Sequence, residues 1–320
     1  MSQRLYWTQE TMSYELRTDR SLGKNLCRIF RKEIDGALAV ANGETKADDT
    51  PVHALRKHLK KARAILHLVC EEIGHGHFRR QDHWLRNVGR LTSGIRDAEV
   101  RLQTFRQLEH VTRRRRNGPC QKIETMLAFE LENFAAAFAG WEKETIPLLD
   151  RARDAIQTWP IDNYDTKQLR RAVRSTYKSG RRALAAARAN PCTANFHELR
   201  KQVKLLGYQL RLLRPLNHIV VWNLSVELDE LGELLGRVHD LSFLGDRLRE
   251  EQKQTGWRTQ DDGLLGVIDR SQAELQRDTA ELGERFFAQR PREFGSLVDA
   301  WFEDWQHANS SSVAEALIAT

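Results

Sequence analysis

The segment Val52-His53-Ala54-Leu55-Arg56-Lys57-His58-Leu59-Lys60 returns 144 positions later as Phe196-His197-Glu198-Leu199-Arg200-Lys201-Gln202-Val203-Lys204. Both copies read apolar-His-x-x-Arg-Lys-x-x-Lys. At about 100° per residue, the His, Arg, Lys and Lys at i, i+3, i+4 and i+7 share one helix face. The other face is apolar in both copies: Leu55, Leu59, Ala62, Leu66 and Val69 match Leu199, Val203, Leu206, Leu210 and Leu213. The chain therefore prescribes the same helix twice, with an apolar back and a cationic front. Four positive or chargeable groups within two turns repel one another, so the recurrence implies an anion at that front.

The repeat extends further. Lys24, Arg28 and Arg31 stand at i, i+4 and i+7 upstream of the first copy; Arg170, Arg174 and Tyr177 have the same spacing upstream of the second, with Arg181 one turn on. Downstream, Gly94-Ile95-Arg96-Asp97 parallels Arg237-Val238-His239-Asp240. Strand signals are nearly lacking, and 3.6-residue periodicity predicts an all-α chain. The expected helices are Ser21–Ala41, Pro51–Ile73, Phe78–Arg116 (broken near Ser93-Gly94), Cys120–Trp159, Thr166–Ala189, Thr193–Leu213, Val220–Gln254 (broken near Gly236), Gly263–Gln289 and Pro291–His307. Thr50 caps the first motif helix, with Pro51 at its first position and Asp48 and Asp49 at the positive end of its dipole. The expected division is an arm over 1–20, a first bundle of about four helices over 21–160, a second over 161–307 and a loose tail over 308–320, the two bundles packing with pseudo-twofold symmetry.

Composition narrows the function. Lys and Arg number 51 against 44 Asp and Glu, and the excess is local: Lys167 to Arg188 holds eight basic residues and Arg56 to Arg63 five, with no acidic residue in either stretch. Such fields point to a polyanion: phosphate chains, nucleic acid or an anionic membrane surface. No apolar run approaches the roughly 20 residues of a membrane span. Met1 to Arg20 lacks a signal-peptide pattern, and Cys27, Cys70, Cys120 and Cys192 form no metal or disulfide framework. A cytoplasmic location is expected.

At the residues just described the chain resembles the CHAD family, the conserved histidine α-helical domain. The resemblance rests on His53-x-x-Arg56-Lys57-x-x-Lys60, on His197-x-x-Arg200-Lys201-x-x-Lys204-x-x-x-Tyr208, on Arg96-Asp97 and His239-Asp240, and on Tyr177-Lys178-Ser179-Gly180-Arg181-Arg182-Ala183; it covers roughly Ser13 to Trp305. It implies two four-helix bundles with pseudo-twofold symmetry, a basic surface or channel between them, and binding of inorganic polyphosphate without catalysis. Some members carry a fused triphosphate-tunnel domain, and no such domain is legible here. The two copies differ where Gly207 replaces Arg63 and His239 replaces Arg96, which thins the cations of the second half.

The residues then take roles. His53, Arg56, Lys57, Lys60 and His67 fall within about 100° of arc over roughly 20 Å of helix, a row suited to a linear phosphate chain. Arg grips two oxygens of one phosphate and Lys acts as a mobile point charge. Arg170, Arg174, Tyr177, Arg181 and Arg188 form a second row, and Tyr177 and Tyr208 can each donate a hydroxyl, stack under a guanidinium or anchor a helix. His53 and His197, beside Arg and Lys, should be neutral when empty and charged when an anion binds, so affinity should rise as pH falls through the histidine range. Arg96-Asp97 and His239-Asp240 read as interhelical ion pairs, and Arg113-Arg114-Arg115-Arg116 as a solvated helix end. His75-Gly76-His77 with His83 reads as a loop, with no metal expected. No cofactor motif, phosphate loop or nucleophile elbow is legible, and no pair of carboxylates stands among the cations, which disfavours an enzyme. The expected site is Lys24, Arg28, Arg31, His53, Arg56, Lys57, Lys60, Arg170, Arg174, Tyr177, Arg181, His197, Arg200, Lys201, Lys204 and Tyr208, and the expected partner is inorganic polyphosphate or another polyanion. Its roles would be targeting to polyphosphate granules or tuning of polyphosphate metabolism. A nucleic-acid or acidic-protein binder and a polyphosphate-processing enzyme stay open as alternatives.

Overall fold

A computed structural model describes residues 14–44, 50–112, 118–255 and 262–318. The motif Arg113 to Arg116, and Asp48 and Asp49, lie outside the described residues. Among the described residues there are helices and no strands. In chain order they are α1 (Leu22–Ala41), α2 (Pro51–Leu68), α3 (Cys70–Ile73), α4 (His75–Leu91), α5 (Ser93–Thr112), α6 (Gly118–Ala137), α7 (Glu142–Ala155), α8 (Thr166–Ala189), α9 (Thr193–Leu212), α10 (His218–Thr255), α11 (Asp262–Phe286) and α12 (Pro291–Ile318).

The two motif helices are α2 and α9. Every apolar position expected on their backs is at most 4% exposed: Leu55, Leu59, Ala62, Leu66 and Val69 in one, Leu199, Val203, Leu206, Leu210 and Leu213 in the other. Each fully buried Leu contributes about 1.5–3 kcal/mol of transfer free energy, which fixes the rotation of both helices and turns their cations outward. Thr50 caps α2 by accepting the His53 N–H at 3.4 Å, with Pro51 in the first turn. The start of α8 is closed by a capping box in which Asp165 and Gln168 each bond the other's backbone N–H.

In the N-terminal half α1 packs on α2 and α7, and α4 packs on the same two helices. In the C-terminal half α9 lies between α8 and α10, α10 packs on α11, and α12 covers α8. Among the described residues the halves meet chiefly where α2 packs on α9 and α5 on α10, with a lighter contact of α2 on α8. The last residues of the arm lace this join. Tyr14 is buried and donates its hydroxyl to the Lys61 carbonyl on α2 at 3.1 Å, and the Leu16 N–H bonds the Leu212 carbonyl on α9 at 3.2 Å.

Helix boundaries depart from expectation at identifiable residues. The first motif helix ends at Leu68, one short helix follows, and Gly74 at φ +80° reverses the chain into α4. His75 and His77 therefore begin a helix instead of lying in a loop. The single helix expected over Cys120–Trp159 is two, because Gly140 at φ +84° adopts a left-handed conformation that other residues rarely take. Conversely α10 runs unbroken through Gly236, and α12 continues past Asn309 to Ile318.

Candidate functional site

A cavity of about 540 Å³ opens where α2, α5, α9 and α10 meet. From α2 it takes His53, Arg56, Lys57, Lys60 and Lys61, and from α9 it takes Arg200, Lys204, Tyr208 and Arg211. α5 contributes Arg96, Asp97 and Val100; α10 contributes His239, Asp240 and Phe243. Tyr14 and Glu15 of the arm and Arg214 of the turn after α9 form one end. Among the described residues, nine Lys and Arg thus face three carboxylates across one concave surface.

The two halves hold their arginines alike. Arg56 donates from Nη1 to the Gly89 carbonyl at 3.0 Å, and Arg200 donates from Nη1 to the Gly232 carbonyl at 2.9 Å. Asp97 supports the charge on Arg56, and Asp240 supports that on Arg200. One guanidinium nitrogen is fixed in each case, which orients the remaining N–H groups of the planar fork. In the second arrangement the cations lie close over two glycines. A Cβ on Gly236 would stand 2.9 Å from Arg200 Nη1, and one on Gly232 would stand 2.8 Å from Lys204 Nζ. Gly236 is a seat for a cation and not the helix break its sequence context suggested.

The electrostatics follow from crowding. Desolvation by the cavity walls, and then the charges of Arg56, Arg200, Lys204 and Arg96, push the Lys60 ammonium down to about 8. Lys204 is lowered chiefly by burial and then by Arg200, with Asp229 opposing. His197 is lowered by burial, then by His239, Lys201 and Arg200; its ring lies 5.4 Å from that of His239, which stacks on Phe243 at 4.4 Å. Burial raises Asp97 and Glu15 even beside arginines. A surface that disfavours its own positive charges gains when an anion enters.

The family model for the CHAD domain matches residues 28–249. This chain belongs to the CHAD domain family. Among solved structures, PptA from Streptomyces chartreusis aligns with a TM-score of 0.63 at 13% identity, covering 83% of this chain and 99% of that one. The CHAD domain from the plant Ricinus communis aligns with a TM-score of 0.62 at 18% identity, covering 87% and 96%. Among curated proteins none gives a significant sequence match. These likenesses establish the fold.

Within this CHAD domain the expected site residues separate. His53, Arg56, Lys57, Lys60, Arg200, Lys204 and Tyr208 come together in the cavity. His197 sits beside it through His239, whereas Lys201 turns out to Glu198 at 2.6 Å. The α1 and α8 rows lie elsewhere. Arg28 donates to the Glu15 carbonyl at 2.6 Å, and Lys24 and Arg31 are exposed on α1. Arg170 pairs with Asp299 at 2.6 Å, Arg174 runs along α12 beside Gly295, and Arg181 donates to the Gln289 carbonyl. Tyr177 is fully buried, stacked on Phe294 at 4.0 Å between ring centroids. Its hydroxyl bonds the Gln289 carbonyl at 3.1 Å, which makes it an anchor between α8 and the α11–α12 turn. His67 faces a smaller cavity of about 280 Å³ with Cys70, Glu72, His75 and Gln202.

Sequence reasoning missed several cavity residues. Arg96, Asp97, His239 and Asp240 were assigned to structural pairing, yet all four line the cavity. Their equivalent places in the two repeats were the available signal. Arg214 carried no repeat signal; Arg211, the counterpart of His67 in the repeat, lies one turn past Tyr208 and two past Lys204 on the same face, and its guanidinium sits 5.1 Å from the Tyr208 ring. The carboxylates Asp97, Asp240 and Glu15 also line the cavity among the cations, as single groups on separate elements, where the sequence was read only for carboxylate pairs. Among the described residues no three His, Cys, Asp or Glu converge as a metal site, and no helix is long and apolar enough to cross a membrane.

Proposed function

We propose that this CHAD domain binds inorganic polyphosphate, without catalysing its turnover, in the cavity between α2 and α9. One observation carries the reading: both copies of the repeated motif direct Arg and Lys into a single cavity, with Arg56 and Arg200 braced by matching backbone bonds. A phosphate chain supplies about one negative charge per unit and planar oxygen pairs for guanidinium forks. Entry of the anion favours the charged form of Lys60 and of His197, so binding takes up protons. Lys60 adds to this at about pH 8, a titration not expected from the sequence.

The test is calorimetric titration with long-chain polyphosphate at two salt concentrations, with RNA and duplex DNA as competitors. Micromolar or tighter binding that weakens with salt and resists displacement by nucleic acid supports the reading. Binding that RNA or DNA displaces readily would replace it with a nucleic-acid site. Asp97 and Asp240 among the cations favour a second reading, phosphate-chain hydrolysis with a divalent ion. Sustained phosphate release with Mg²⁺ or Mn²⁺, abolished by Lys57→Ala, would establish it. The proposed role is targeting to polyphosphate granules in the cytoplasm, checked by whether a fluorescent fusion leaves the granules when Arg56 and Arg200 are replaced.

A further inference from the structure

We propose that Lys60 is an acylation site, at which an acyl phosphate held by its phosphate group on Arg56 and Arg200 transfers its acyl group to the lysine amine. The proposal rests on the reading of the cavity as a phosphate site, and it adds a covalent reaction with a different class of molecule.

Four lysines line the cavity, Lys57, Lys60, Lys61 and Lys204, and Lys60 is set apart from the others by the crowd of cations acting on it. Lys61 is held by Glu33 at 3.6 Å and lies 5.2 Å from the Tyr14 ring centroid. Lys204 packs its Nζ against α10 at Gly232, with Asp229 and Glu233 supporting its charge. Lys60 differs: it lines the cavity, whose walls partly desolvate it, and the charges that act on it most are all cations, Arg56 and Lys204 among them. Those surroundings release a proton from the ammonium near pH 8, so a fair fraction of Lys60 is free amine where an ordinary lysine is almost wholly protonated. The guanidiniums of Arg56 and Arg200, each fixed by one backbone bond, present the rest of their N–H groups to an incoming phosphate. Guanidiniums that seat the leaving group beside a neutral amine supply proximity and electrostatic stabilisation of the departing charge.

The reaction balances without a further reagent. The Lys60 nitrogen lone pair attacks the acyl carbon and forms the C–N bond. The bond from that carbon to the phosphate oxygen breaks, inorganic phosphate departs with the electron pair, and the nitrogen loses its proton to water. The product amide is neutral, so the cavity loses a cation.

The experiment treats the full chain with acetyl phosphate at pH 7.5, and in parallel with the neutral acetyl ester of N-hydroxysuccinimide. Acetylation at each lysine is followed over time by peptide mass spectrometry. With acetyl phosphate, Lys60 should react about tenfold faster than Lys32 and Lys178, which are exposed outside the cavity. Its lead should shrink with the neutral ester, and excess pyrophosphate should slow Lys60 about tenfold while leaving the other two unchanged. A Lys60 rate equal to that of Lys32 and Lys178 under acetyl phosphate would overturn the proposal. So would an equal lead with the neutral ester, because phosphate steering would then be lacking. Acetylated protein should bind polyphosphate less tightly than untreated protein, and the same treatment should cost a Lys60→Arg variant a smaller share of its own starting affinity; an equal proportional loss in both would deny Lys60 the effect. Should Lys60 lead under acetyl phosphate in a protein that does not bind polyphosphate, the acylation site stands and the polyphosphate reading falls.

Discussion

Gly236→Ala separates the stability of this domain from its binding. Alanine in the interior of α10 gains about 1 kcal/mol over glycine in helix propensity. Its Cβ would stand 2.9 Å from Arg200 Nη1, closer than real Cβ contacts allow, so the guanidinium must withdraw by about half an ångström. That nitrogen also donates to the Gly232 carbonyl at 2.9 Å. Weakening this bond costs about 1–1.5 kcal/mol, because Arg200 is only partly exposed but can turn its freed N–H toward cavity water. The two effects nearly cancel, so the melting temperature should move by no more than a few degrees. Affinity for polyphosphate should still fall about tenfold, the equivalent of about 1.4 kcal/mol from a misplaced guanidinium fork. Differential scanning calorimetry and isothermal titration at fixed salt measure the two quantities. A variant that melts normally and binds as tightly as the parent would refute the argument that Gly236 seats a binding arginine.

Arg56→Ala combined with Arg200→Ala should lower affinity by about 100-fold at low salt and stability by about 1–3 kcal/mol, since each side chain also braces a helix through a backbone carbonyl; titration and urea unfolding check the two values. Glu15→Gln should tighten polyphosphate binding about three- to tenfold by removing the carboxylate 3.6 Å from Arg214 at the cavity end, and unchanged affinity would show that the phosphate chain never reaches that end. His67 is pushed down to about 4, first by burial and then by Arg63, so below pH 6.5 the unfolded chain takes up a proton that the folded chain refuses. Stability should therefore fall by about 3 kcal/mol between pH 6.5 and pH 4, and urea unfolding of His67→Gln should show this slope reduced. Leu59→Ala, at 4% exposure on the back of α2, should lose about 2–5 kcal/mol of stability in thermal or urea melts, with binding preserved wherever the variant is folded.

The helical fold and the cationic lining of the cavity were legible because they depend on local periodicity. The apolar stripes of α2 and α9 set their rotation, and rotation alone decides that Arg56, Lys60, Arg200 and Lys204 point away from the core. What was not legible depends on neighbours distant in sequence. Tyr177 shares the spacing of the cationic rows, yet Phe287 and Phe294 from more than a hundred residues on enclose it. Arg170 and Arg181 keep the right pattern on α8, but α12 and its preceding turn lie over them and take up their charge. Arg214 shows no periodic relation to the motif and reaches the cavity only because the chain turns after α9. Gly236 read as a helix break, since propensity has no means of registering a guanidinium arriving from another helix.

The Tyr14–Leu16 stretch has a mechanical consequence. It is anchored to α2 at the Lys61 carbonyl and to α9 at the Leu212 carbonyl, a staple across the seam. Any motion that spreads the two helices must break both bonds and unseat a buried aromatic ring, so the gap behaves as a fixed gauge. A flexible guest would then have to adjust its own torsions to the host, and a stiff one would be disfavoured however strongly it is charged.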